Sequence, residues 1–136
     1  MHENQDLKGS FNQGAAARTG HELNLFTANA SFFYQDTYGL TVGLQNSWGT
    51  ADPVLYAPAP VTGSANGKPD STAFIIEADW IPFGKQDSWA RPWANLKIGL
   101  QYTIYTRFNG GTTNYDGFGR SASDNNTLFL YAWMIF

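Results

Sequence analysis

The chain has no cysteine. Disulfides, Cys-based zinc sites, thiolate catalysis and covalently attached c-type haem are therefore excluded. Charge is scarce as well: Asp, Glu, Lys and Arg make up 14% of the 136 residues, against about 25% in an average soluble domain. The eight Lys and Arg residues never cluster and the formal net charge is −3, so nothing calls for a nucleic-acid partner. No run of about 18 apolar residues occurs, which removes a membrane-spanning helix. Residues 1–20, MHENQDLKGSFNQGAAARTG, lack the apolar core of a secretory signal, so an address beyond the cytoplasm predicts that Met1 lies inside a longer reading frame. His2 and His21 are isolated, and no set of nucleophile, base and orienting group can be assembled. No enzymatic activity and no cofactor are expected.

Aromatic rings, at 16%, are what the chain has in excess. They alternate with Gly, Asn, Thr, Ser and Gln, the composition of a wall with one greasy face and one wet face. At this length a single domain, residues 1–136, is expected.

The alternation has a period of two. Phe26, Ala28, Ala30, Phe32 and Tyr34 form one row within residues 21–35, opposite Thr27, Asn29, Ser31 and Gln35, with Leu23, Leu25 and Phe33 as exceptions. Asp36 and Gly39 predict a tight turn after it. Tyr38, Leu40, Val42 and Leu44 then begin a second row that Trp48 closes, so the two strands should form a hairpin. Residues 50–71 hold prolines at 53, 58, 60 and 69 and read as a long loop. A third strand is expected over 72–83, with Phe74, Ile76, Ala78 and Trp80 on one side and Glu77 and Asp79 on the other. Residues 84–95 link it to a fourth strand, 96–108, in which Leu96, Ile98, Leu100, Tyr102, Ile104 and Phe108 alternate with Lys97, Gly99, Gln101, Thr103 and Arg107. A second long loop, 109–123, precedes the last strand. Residues 2–13 read as the polar end of a sixth strand, and no helix is required.

The chain ends on DNNTLFLYAWMIF, in which Leu128, Leu130, Ala132, Met134 and Phe136 form an unbroken apolar row. This ending resembles the C-terminal strand of bacterial, proteobacterial, outer-membrane β-barrels of the porin-like family. The segment LQYTIYTRFNGGTTNYDGFGRSASDNNTLFLYAWMIF is similar to the closing hairpin of uncharacterised betaproteobacterial barrel proteins. The resemblance implies an all-β, antiparallel up-and-down meander of five to six long strands forming the C-terminal portion of a transmembrane β-barrel. It implies a passive solute or ion pore, or a conduit component associated with electron-transfer proteins. It makes Leu128, Leu130, Ala132, Met134 and Phe136 the insertion signal read by the barrel-assembly machinery. The implied location is the bacterial outer membrane, with the lipid bilayer as a partner.

Three patterns agree with it. Each strand has one apolar row of roughly 9–11 residues, the length of a tilted crossing. Tyr34, Tyr38, Trp48, Trp80, Phe83, Tyr102, Phe108 and Phe136 fall near row ends, as girdle rings would. The connections alternate in length, placing loops 50–71 and 109–123 at one end and the turn at Asp36 with the 84–95 link at the other. Six strands are too few to close a bacterial barrel, which has eight or more, so the remaining strands of the same barrel or other copies are required. The competing architecture is a soluble β-sandwich binding module for carbohydrate or protein, with Tyr56, Tyr115 and Phe118 in its loops as contact rings.

The lumen-facing candidates are Glu77, Asp79, Lys97, Gln101 and Arg107. Adjacent antiparallel strands would set Glu77 or Asp79 beside Lys97, giving either a cross-strand ion pair that holds register or a transverse field of acid and base in a pore. Asn114, Asp116, Gly117, Gly119, Asp124 and Asn125 lack the EF-hand pattern and fit turn stabilisation better than calcium binding.

Overall fold

The computed structural model describes residues 1–57 and 63–136, so Pro58 and Pro60 of the proline-rich loop lie outside the described residues. The chain is all-β: strands β1 (His2–Asp6), β2 (Gly20–Tyr34), β3 (Tyr38–Gly49), β4 (Ser71–Trp80), β5 (Asn95–Arg107) and β6 (Thr127–Ile135). They form one sheet in sequential order, each antiparallel to the next, and the sheet curls into a half-barrel. A sandwich would need a second sheet against this one; the described residues make a single sheet.

Register explains how the two faces are kept apart. Partners across an antiparallel ladder point the same way, so each pairing row carries side chains of one face. One row is Ala30–Val42–Ile76–Tyr102–Leu128; the next are Phe32–Leu40–Ala78–Leu100–Leu130 and Tyr34–Tyr38–Trp80–Ile98–Ala132. Between them run Ser31–Thr41–Glu77–Gln101–Phe129 and Phe33–Gly39–Asp79–Gly99–Tyr131. The apolar rows therefore merge into one five-strand surface. Its side chains stand free, Phe32 at 65% and Leu130 at 69% exposure, whereas Asp79 and Ala73 on the polar face are buried. Side chains crowd on the inside of a curve and splay on the outside, so the polar face is the concave one.

Several local expectations change. Residues 2–13 are not one strand: the Asp6 carboxylate accepts the Lys8 N–H at 3.0 Å, β1 stops, and a five-residue helix (Lys8–Asn12) follows. The β2–β3 turn is made by Gln35 and Asp36, both at φ 51°, with Thr37 N–H donating to Tyr34 O at 3.1 Å. Those are the dihedrals of the primed hairpin turns, and Gly39 lies within β3 instead. β4 ends at Trp80, not at 83; Ile81 N–H still donates to Thr37 O, one step on in the same register, but Pro82 has no N–H to continue the ladder.

The connections at the start of β2, between β3 and β4, and between β5 and β6 meet at one end of the sheet, here the loop end. Asp52 pins them. Its fully buried carboxylate accepts the N–H groups of Ala17, Arg18, Val54 and Leu55 at 2.9 to 3.1 Å. Ser64 donates within 2.9 Å of both Lys68 O and Asn109 O, and Asn66 Nδ2 donates to Gly110 O at 2.7 Å. Burial alone would push the Asp52 carboxyl up, but the N–H groups of Leu55, Ala17, Val54 and Arg18 outweigh it and hold the group below the ordinary carboxylate value. A folded-state pKa below the unfolded one contributes stability that is present above the unfolded pKa and lost as pH falls through the folded one. Acidification should therefore loosen this end. Asp52→Asn should raise hydrogen exchange at Ala17, Arg18, Val54 and Leu55 by about tenfold or more at neutral pH, since one charge-assisted hydrogen bond is worth about 1.5–3 kcal/mol. Unchanged protection at those four amides would refute the pinning role.

Candidate functional site

The polar face contains one built constellation, on β4, β5 and β6. Register sets Glu77 opposite Gln101 and Asp79 opposite Gly99, which in turn faces Tyr131. Lys97 lies two residues before Gly99, diagonal to Asp79, within reach of a long side chain. Its Nζ is 2.9 Å from Asp79 Oδ2 and 3.4 Å from Glu77 Oε1. Gln101 Nε2 donates to Glu77 Oε2 at 3.0 Å. The Tyr131 hydroxyl lies 2.9 Å from Glu77 Oε1 and 3.1 Å from Asp79 Oδ1, so its one proton is shared between two carboxylates. Lys97 Nζ also sits 5.5 Å from the centroid of the Tyr131 ring.

All four carboxylate oxygens are thus occupied, and the formal balance of two carboxylates and one ammonium is −1. A set of charges on the inside of a curved sheet loses hydration and repays it only if every partner is in place. The sequence pairs Lys97 with Glu77 or Asp79; the structure gives it both.

Two glycines make the room. A Cβ on Gly99 would run into the Tyr131 ring, which crosses that position to bring its hydroxyl to β4. A Cβ on Gly39 would stand 3.0 Å from both Cβ and Oδ2 of Asp79. Asp79 is therefore flanked on both neighbouring strands by residues without side chains.

Four of the five sequence candidates, Glu77, Asp79, Lys97 and Gln101, come together here. Arg107 does not. The register shifts between Thr72 and Ala73, placing Arg107 opposite Thr72 and leaving Thr106 as the extra residue. That bulge sets Arg107 on the face of Thr72 and Phe74, exposed at the loop end, so its assignment to the polar face is corrected. Tyr131 is the residue that reading the strands one at a time misses. Its place in the odd row of β6 put it on the polar face, but only the five-strand register sets it beside two acids.

Ring positions also differ in part. Tyr34, Tyr38 and Trp80 form one pairing row at the turn end, near the row ends as expected, but Tyr102 is mid-strand between Ile76 and Leu128. Phe108 turns into the loop end, edge-on to Tyr105 and Tyr115 at ring centroid distances of 5.1 Å. Of the loop rings, Tyr115 is buried and Tyr56 places its hydroxyl 3.0 Å from His21 Nε2, so both pack within the loops; Phe118 is exposed. The Asx residues hold turns: Asp116 accepts from Phe118 and Arg120, Asn114 from Gly119 and Asp124 from Ser121.

The glycine clearance yields a paired test. Gly99→Ala should force the Tyr131 ring away and cost about 1–3 kcal/mol, the usual range for overpacking, in denaturant unfolding. Gly43→Ala should cost far less, because a Cβ there meets only ordinary contacts at 3.6 Å and beyond. Equal losses for the two variants would remove the clearance argument.

Comparison with protein-family models, with curated proteins and with solved structures returns no match to this chain.

Proposed function

We propose that this chain forms part of the wall of a porin-like outer-membrane β-barrel and takes part in passive passage of ions or small solutes along its polar face. The carrying observation is the five-strand apolar surface on the convex side. Exposed in water it would be an aggregation site, since burying one Leu, Val, Ile or Phe is worth about 1.5–3 kcal/mol. No charged residue stands on it from the level of Ala28 to that of Tyr34. Lipid accounts for that purity, because a Lys or Arg facing the bilayer midplane costs about 2–4 kcal/mol.

Dimensions support the same reading. The ten residue steps from Tyr38 to Trp48 span roughly 33 Å along β3. A tilt of about 40° turns that into a vertical height of about 25 Å, the thickness of an apolar band in an outer-membrane barrel. Asn46, Thr72 and Arg107 then mark its loop-end margin, where Thr72 Oγ1 bonds Asn46 Oδ1 at 2.9 Å. Trp89 and Trp93, at 84% and 80% exposure in the 81–94 link, suit the opposite headgroup region. No helix among the described residues is long and apolar enough to cross a membrane.

In this reading Leu128, Leu130, Ala132 and Met134, on the convex face, together with Phe136 after them, are the signal for the barrel-assembly machinery. Removing Phe136 should reduce heat-modifiable protein in outer-membrane fractions several-fold, while Phe118→Ala, in an exposed loop position, should leave it unchanged. Equal assembly of the two variants would count against the reading. The Glu77, Asp79 and Lys97 cluster gives the pore wall its field. In planar bilayers Lys97→Met should shift reversal potentials toward cation permeation and Glu77→Gln with Asp79→Asn toward anions. Identical reversal potentials in the three proteins would leave the cluster a purely structural role.

A further inference from the structure

The alternation of apolar and polar rows fails on one strand of the concave face. β6 turns Phe129, Tyr131, Trp133 and Ile135 to the side that carries Glu77, Lys97 and Gln101, and there Trp133 and Ile135 stay 64% and 60% exposed. Tyr131 is explained by the two acids its hydroxyl reaches. Trp133 and Ile135 have no such reason, and an indole and a branched chain on a wet wall are unfavourable unless something apolar meets them.

Register shows what they border. Trp80 pairs with Ile98, so by the same count Ile81 stands level with Lys97, whose partner on β6 is Trp133; Asn95 and Ile135 form the next concave row toward the turn end. Lys97 leans out of its own row. Its ammonium is drawn to Asp79 at 2.9 Å and Glu77 at 3.4 Å, one and two concave rows further in, and the space between Ile81 and Trp133 is left open above the lysine stem. The result is a hollow of about 200 Å³ lined by Ile81, Asn95, Lys97, Trp133 and Ile135.

We propose that this hollow binds a small uncharged one-ring solute with a hydroxyl or carbonyl oxygen, of the phenol class, and holds it against the pore wall. Size fits a single ring, since an apolar cavity of about 150 Å³ holds benzene. Ile81, Trp133 and Ile135 supply apolar walls, and the indole gives a face on which a ring can pack. The polar groups at the hollow are both donors: the Lys97 ammonium, on a side chain 29% exposed, and the Asn95 amide, whose Oδ1 already accepts the Leu96 N–H at 2.9 Å. The ligand must therefore bring the acceptor. A carboxylate would bring one, but with a negative charge beside Glu77 and Asp79, which already outnumber Lys97. A sugar would bring many hydroxyls to three walls that offer them no partner. The inference rests on the pore reading, because a solute reaches the concave face through such a lumen.

Isoleucine methyls test the site directly, because Ile81 and Ile135 line it while Ile75 lies further along the concave face and Ile76, Ile98 and Ile104 stand on the convex one. The full chain, carbon-13 labelled at its isoleucine δ1 methyls, is refolded in dodecylphosphocholine micelles and titrated with phenol at neutral pH, where phenol, like a Tyr side chain, is uncharged. Ring-current shifts should saturate at Ile81 and Ile135 and be absent at the other four. Benzoate should bind about tenfold more weakly, as a like charge nearby requires, and methyl glucoside should move no methyl. Trp133→Leu keeps the wall apolar but removes the ring, and should weaken phenol binding roughly threefold to tenfold. Ile81→Ala, on the opposite wall, should weaken it as well and carries the test if Trp133→Leu disturbs the convex methyls. Shifts that rise without saturation at all the methyls, benzoate binding equal to phenol, or full phenol affinity in both variants would overturn the inference. Nuclear Overhauser effects from detergent acyl chains probe the underlying reading separately. Their absence at Ile76, Ile98 and Ile104 sinks the barrel wall, whereas their presence with silent Ile81 and Ile135 sinks only the site.

Discussion

An antiparallel ladder makes two commitments at once: it satisfies every backbone N–H and C=O sideways, and it sends alternate side chains to opposite faces. In this chain the second commitment is kept across five strands without a break, from Ala30 to Tyr34 on one edge to Leu128 to Ala132 on the other. A slip of one residue at any seam would turn a whole strand over and set Glu77 or Lys97 among Leu40, Leu100 and Leu130. The cost of that misplacement fixes the register. The Glu77, Asp79, Lys97, Gln101 and Tyr131 cluster acts in the same direction, since its hydrogen bonds join three strands and form only in this alignment.

The cluster and the glycines around it belong to one arrangement. Tyr131 has to lie flat across β5 to reach two acids on β4, and only an unsubstituted position can be crossed in that way. Gly99 and Gly39 weaken their strands slightly, by about 0.5–1 kcal/mol each relative to Ala. Leaving either carboxylate short of a partner would cost more, about 1–3 kcal/mol for one unsatisfied group and more for a charged one. The loss in strand propensity is the smaller of the two, so glycine at these positions is favoured overall.

Much of the architecture could be read from residue order. Period two in residues 26–34, 38–44, 74–80, 96–104 and 128–136 gives five strands, and the lengths between them give an up-and-down meander, because alternation is a local property of each strand. The Lys97 ion pair was legible from strand adjacency. What escaped depends on non-local facts. Gly39 looks like a turn residue beside Asp36, but the left-handed dihedrals fell on Gln35 and Asp36, and the glycine was needed opposite Asp79. Arg107 continues the odd positions of β5 on paper, and a single bulge at Thr106 reverses its face. Asp52 left no trace at all: its partners are four backbone N–H groups, which every residue but proline carries, so no side-chain pattern announces them.

The loop end obeys a different rule from the wall. Among the described residues these loops bury only a few apolar side chains, such as Ala16, Tyr115 and Ala122; the largest fully buried ones are those of Asp52 and Ser64, both polar and both surrounded by backbone groups. Irregular chain has no ladder to satisfy its N–H and C=O groups, so side-chain acceptors such as Asp52, Asn66 and Asp116 supply the missing partners and tie one loop to another. The wall can turn its side chains to two different faces because the ladder has already paired its backbone; the loops must use theirs on the backbone itself.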